Sequence, residues 1–167
     1  MTPAPVRAAI GLGGNLGPVA DTLRDAVSAI GDLPGTRVAG VSRLYRSPAW
    51  GPVAQPDYLN AACLVDTRRP PVALLEDLLA IERRFGRDRE APGSQRWGPR
   101  TLDLDLLVYG ARRVQTPGLS VPHPRLHERA FVLLPLAELD PGLEIPGRGR
   151  VDALLAGLDV HGVEALP

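Results

Sequence analysis

Arg96 and Arg100 precede Asp103 and Asp105 in the run Arg-Trp-Gly-Pro-Arg-Thr-Leu-Asp-Leu-Asp. On a β-strand alternate side chains share a face, so Asp103 and Asp105 point one way and Leu102, Leu104 and Leu106 the other. Neighbouring carboxylates repel, and a divalent cation relieves that repulsion. Guanidiniums just upstream suit phosphate oxygens. Acids for a metal beside bases for phosphate is the equipment of magnesium-nucleotide chemistry, and two carboxylates so placed can bridge two Mg²⁺.

The arginines continue upstream. Arg83, Arg84, Arg87, Arg89, Arg96 and Arg100 lie close together in a chain whose 19 basic residues are all arginine. The absence of lysine excludes a phosphate-loop lysine, a Schiff-base lysine and a protein-kinase lysine. The cluster joins a helix to a strand, so a bound polyanion would discharge its repulsion, and its loop placement suits a lid. The alternative is a solvated surface paired with Glu76, Glu82, Asp88 and Glu90. Glu82 itself could face Arg87, approach the metal site, or make a plain surface pair.

Further candidates lie elsewhere. Tyr58 and Asn60 share a strand face, where a ring and a carboxamide could stack on a flat heterocycle and read its edge. His123, between two prolines, could donate to a phosphate. Gly11, Gly13, Gly14 and Gly17 read as a glycine-rich turn, which either is only tight or lets backbone approach a ligand. They do not fit the dinucleotide fingerprint.

These residues need a scaffold. The chain has 167 residues and zero formal net charge, which fits one domain over 1–167 and argues against bulk binding to nucleic acid or membrane. Its single cysteine, Cys63, reads as a core residue, and one cysteine excludes an internal disulfide. No apolar stretch approaches a membrane span and no signal peptide is evident, so cytoplasm is the expected location. Strands are expected at 6–12, 36–45, 58–67 and 102–109, and helices at 18–30, 71–85 and 126–138. Residues 114–121 could add a hairpin partner, and 152–158 a short helix. The order is β-α-β-β-α-β with C-terminal additions. That is the ferredoxin-like α+β plan, an antiparallel sheet with helices packed mainly on one face.

The motifs Gly13-Gly14-Asn15-Leu16-Gly17, Ser42 to Pro48, Gln55 to Ala62, Arg96 to Asp105, and Val121-Pro122-His123 through Arg129-Ala130-Phe131 occur in this order. Together they resemble the 6-hydroxymethyl-7,8-dihydropterin pyrophosphokinases of folate biosynthesis over about residues 6–145. The resemblance implies transfer of pyrophosphate from ATP to the pterin hydroxymethyl group, with attack on the β-phosphorus and release of AMP. It implies that Asp103 and Asp105 hold two Mg²⁺. Arg87 and Arg89 would be mobile-loop arginines over ATP. Arg96, Trp97, Arg100, His123 and Arg129 would contact phosphates or close the site, and Leu75 and Leu106 would lie near adenine. Tyr58 and Phe131 would sandwich the pterin, Asn60 would read its edge, and Ser47, Pro48 and Trp50 would add contacts. No general base is evident, though Asp105 could assist through the metal. Gly14 stands where the family more often has serine, and the 89–96 loop looks longer than in compact members.

Two other classes compete. A nucleic-acid module on this fold would need more exposed aromatics than seven aromatic residues provide. A phosphohydrolase could use the same two aspartates. Small-molecule substrates and a monomer are the expectation.

Overall fold

The structure, a computed structural model, describes residues 4–49, 54–86 and 100–167. Strand β1 (Val6–Gly14) leads into helix α1 (Val19–Gly31), then strands β2 (Thr36–Val41), β3 (Tyr45–Ser47) and β4 (Tyr58–Thr67). Helix α2 (Pro71–Arg84) and strand β5 (Asp103–Tyr109) complete the ferredoxin-like core. Both β2 and β3 pair with β4, β4 with β1, and β1 with β5, all antiparallel. The β2 and β3 segments therefore replace the single strand expected over 36–45. Ser42 fills the break: its Oγ accepts the Ala62 N–H at 3.0 Å and donates to the Arg43 carbonyl at 2.7 Å.

Helices α1 and α2 cover one face of the sheet. Leu23, Ala26 and Ile30 of α1 and Leu74, Leu78 and Ile81 of α2 pack on Ile10, Leu12, Cys63, Leu104 and Leu106. Burial pushes the Cys63 thiol up to about 12, so this residue is core and not a nucleophile. Pro71 starts α2 at a position where its missing N–H costs nothing. Gly86 ends it in the left-handed region, at φ +86°.

The second face is also covered. A short hairpin, β6 (Val114–Thr116) and β7 (Leu119–Val121), precedes a 3₁₀ turn (Leu126–Glu128) and helix α3 (Ala130–Leu139). The helix expected over 126–138 is thus divided, with Arg129 at the N-cap of its longer part. Residues 114–121 pair with each other and form a separate sheet. Leu133 and Leu136 of α3 and Val151 of α4 (Val151–Ala156) pack on Ala9, Ala62, Leu64 and Leu107. A hairpin of β8 (Glu144–Ile145) and β9 (Gly149–Arg150) lies between α3 and α4, and β10 (Glu164–Ala165) extends the sheet beside β3. No described helix is long and apolar enough to cross a membrane.

At one end of the sheet Asp66 accepts from Arg7 Nε at 2.7 Å and Arg37 Nη2 at 3.0 Å. The hydrogen bond from Arg7, then that from Arg37, holds its carboxyl below the usual carboxylate range against the opposing effect of burial. A depressed pKa stabilises the fold above the unfolded value, and that stability disappears as pH falls through the folded value. The stability difference between wild type and Asp66→Asn should therefore be full near neutrality and shrink below about pH 4. Denaturant titrations at several pH values check this; a pH-independent gap would contradict it.

Candidate active site

Strand β1 carries its glycines inside the sheet, not in a turn. Gly11 and Gly13 sit opposite Asp105 and Asp103 on one side, and opposite Ala62 and Asn60 on the other. A register shift between Ala9 and Ile10 sets this pairing. Each aspartate thus has a neighbour without a side chain, and the space above the strand stays open. Gly11 and Gly13 form part of the floor of a cavity of about 320 Å³. That is a small-ligand volume.

Asp103 and Asp105 both line this cavity, while Leu102, Leu104 and Leu106 pack into the α1–α2 core. The alternation expected from the sequence is therefore the one found. The row Asn60, Gly13, Asp103 runs across three adjacent strands, which places Asn60 about 10 Å from Asp103 along the sheet. Ser47, Pro48 and Tyr58 line the cavity on the Asn60 side, and Phe131 and Val132 of α3 face it from above the sheet. Asn60 is buried and donates from Nδ2 to Ser47 Oγ at 2.8 Å. The cavity has an aromatic residue on two different elements and a fixed amide, which suits a flat polar heterocycle.

A second cavity, about 340 Å³, lies between α2, β5 and the β6–β7 hairpin. Leu75 and Leu79 line it from α2, Leu104 and Leu106 from β5, and His123 from the loop after β7. His123 is held by its backbone N–H on the Leu107 carbonyl at 2.9 Å. Its Nδ1 accepts the Arg125 N–H at 3.3 Å, so a neutral ring carries its proton on Nε2 and donates from there. Asp105 lines both cavities.

Three segments meet at one buried side chain. Asn15 is 5% exposed, and its Nδ2 donates to Gln55 Oε1 at 2.8 Å and to the Pro56 carbonyl at 2.9 Å. Its Oδ1 accepts the Arg100 N–H at 2.9 Å, and the N–H groups of Asn15 and Leu16 both donate to the Arg100 carbonyl. The approach is close enough that a Cβ on Gly14 would stand 2.7 Å from the Thr101 carbonyl oxygen. Glycine here is a contact requirement, since no larger residue fits without a backbone shift. The Arg100 side chain then reaches Asp103 Oδ2 from Nη1 at 3.1 Å.

Arg100 and Arg129, expected at a nucleotide, line the first cavity beside the aspartates, and Arg129 lies 5.8 Å above the Phe131 ring. Glu82, expected among the same contacts, lines neither cavity. It is 1% exposed and accepts the Leu104 N–H at 2.7 Å, which anchors the backbone between the two aspartates. Trp50, Arg87, Arg89, Arg96 and Trp97 lie outside the described residues. Asn15 and Arg125 were not expected as site residues, whereas Gly11 and Gly13 were read as part of a turn that is either only tight or lets backbone approach a ligand, and they line the first cavity from within a strand. The alternating glycines were the available signal for the floor, while nothing local marks Asn15 as a junction.

Among the described residues no group of three or more His, Cys, Asp or Glu side chains gathers as a metal cage. Two carboxylates on one face still fit Mg²⁺, which keeps waters and takes its remaining oxygens from phosphates.

Over residues 9–141 the chain matches the family described as 7,8-dihydro-6-hydroxymethylpterin-pyrophosphokinase (HPPK). It is 43% identical over 161 residues to the Pseudomonas aeruginosa 2-amino-4-hydroxy-6-hydroxymethyldihydropteridine pyrophosphokinase, covering 96% of this chain and 97% of that protein. The Synechocystis protein of the same name is 46% identical over 143 residues, covering 86% of this chain and 71% of its own. A crystal structure of Plasmodium falciparum HPPK-DHPS superposes with a TM-score of 0.69 at 13% identity, over 91% of this chain and 42% of that one. At that identity the likeness speaks for the fold alone, and the chain spans less than half of that protein.

Proposed function

The chain belongs to the 7,8-dihydro-6-hydroxymethylpterin-pyrophosphokinase family, and from that premise we propose how its residues divide the work of moving pyrophosphate from ATP to the pterin hydroxymethyl group. The reaction joins the acceptor oxygen to the β-phosphorus and releases AMP. The observation that carries the assignment of residues is that Asp105 is common to both cavities. A pterin fits the first, between Tyr58 and Phe131, with its polar edge on Asn60. An adenine fits the second, against Leu75 and Leu106. The triphosphate then crosses the seam at Asp105.

Catalysis on this reading is positioning plus charge neutralisation, as suits a phosphoryl group with little covalent help to receive. Tyr58, Phe131 and Asn60 hold the pterin so that its hydroxymethyl oxygen faces the seam. The Nε2–H of His123 donates to a phosphate oxygen on the nucleotide side. Arg100 and Arg129 offset charge on the group being moved. Arg87, Arg89, Arg96 and Trp97 are assigned to the same task from the sequence. Two Mg²⁺ held by Asp103 and Asp105 would draw charge from the phosphate oxygens and acidify the attacking hydroxyl. A monomer acting in the cytoplasm, with residues 1–167 as one functional unit, completes the proposal.

The test is to incubate the protein with Mg-ATP, with and without 6-hydroxymethyl-7,8-dihydropterin. AMP should form only when the pterin is present, in step with pterin diphosphate. Phosphate release without pterin would favour a hydrolase and overturn the reading.

A further inference from the structure

Arg125 lines the first cavity beside Asp103, Asp105 and Arg129. It does not line the second. Its Nε lies 3.2 Å from Glu128 Oε2, and the two side chains are 65% and 52% exposed. An ion pair so exposed is weak and readily exchanged. A phosphate, which accepts two parallel N–H bonds from a guanidinium, is a stronger partner than a solvated carboxylate. The residue's backbone is fixed even though its side chain is not, because its N–H bonds to His123 Nδ1 at 3.3 Å. Arg125 therefore hangs from the loop that carries His123 into the neighbouring cavity, with its own side chain on the pterin side.

The acceptor pterin brings no phosphate to that cavity. A cation there meets phosphate carried by the pterin itself only once the diphosphoryl group has been transferred. Resting on the functional reading above, we propose that Arg125 exchanges Glu128 for the diphosphate of the pterin product. The residue thereby distinguishes product from acceptor and governs how long the product stays. Glu128 is the competing ligand that keeps the arginine off an empty site.

Titration calorimetry with hydroxymethyl-dihydropterin and with its diphosphate tests this on the full chain. Arg125→Ala should weaken the diphosphate by about tenfold or more, since a bidentate charged pair is lost, and should change acceptor affinity less than about twofold. Glu128→Gln should tighten the diphosphate and leave the acceptor alone. Arg125→Lys should recover part of the loss, because charge returns without the planar fork. Equal diphosphate affinity in wild type and Arg125→Ala would overturn the proposal. So would a parallel loss for both ligands, which would mark a packing role. If the wild-type protein binds neither pterin, the functional reading itself fails.

Discussion

Asp105→Ala should reduce the single-turnover rate of AMP formation by about a thousandfold or more. The magnitude follows from position. Asp105 borders both cavities, so on the proposed reading it is the acidic group common to donor and acceptor. Its loss would, on that reading, remove a cation ligand and leave repulsion along the phosphate chain uncompensated. Gly11 stands opposite Asp105 on β1, so no neighbouring side chain from that strand can take its place. Asp105→Asn keeps the shape and loses the charge, and should be nearly as slow. Pterin affinity should change much less, because Tyr58, Asn60 and Phe131 remain. A rate within about tenfold of wild type for either variant would mean that the seam does not carry the reaction.

Asn15→Ala should destabilise the protein by about 2–4 kcal/mol and lower Tm by about 5–15 °C. Three side-chain hydrogen bonds disappear, to Gln55, Pro56 and Arg100, and the groups they satisfied are partly buried. Asn15 lines neither of the two cavities, yet it fixes the backbone at Arg100, whose guanidinium meets Asp103. Turnover should therefore fall about ten- to a hundredfold at temperatures well below the new Tm. Asn15→Asp retains the acceptor for Arg100 and loses both Nδ2 donations, so its stability should lie between the two. Calorimetry and AMP assays on the same samples check both parts. A drop in Tm with unchanged turnover would show that the clasp supports only the fold.

The parts of this molecule that were legible in the sequence depend on local period. The alternation of Asp103 and Asp105 with Leu102, Leu104 and Leu106 is a property of any half-buried strand, and the fold preserves it. The apolar spacing of Leu23, Val27 and Ile30 marks α1 in the same way. The glycines of β1 misled because glycine favours turns in isolation. Here Gly11 and Gly13 are held in strand geometry by pairing on both sides, which is a tertiary effect. Glu82 was left open between Arg87, the metal site and a surface pair, because its neighbours in sequence do not fix which way the helix turns it; it turns inward, to the Leu104 N–H between the two aspartates. Asn15 and Arg125 were not legible. Their partners lie on segments brought together only by the fold, or their role depends on which cavity a loop borders.

The most direct test is a crystal of the protein with Mn²⁺ in place of Mg²⁺, a non-hydrolysable ATP analogue and hydroxymethyl-dihydropterin. Anomalous scattering should reveal metal bound directly to carboxylate oxygens of both Asp103 and Asp105, at about 2.0–2.3 Å, with phosphate oxygens completing the shell. The pterin should lie between Tyr58 and Phe131. Metal bound away from both aspartates, with nucleotide and pterin present, would contradict the account at its centre.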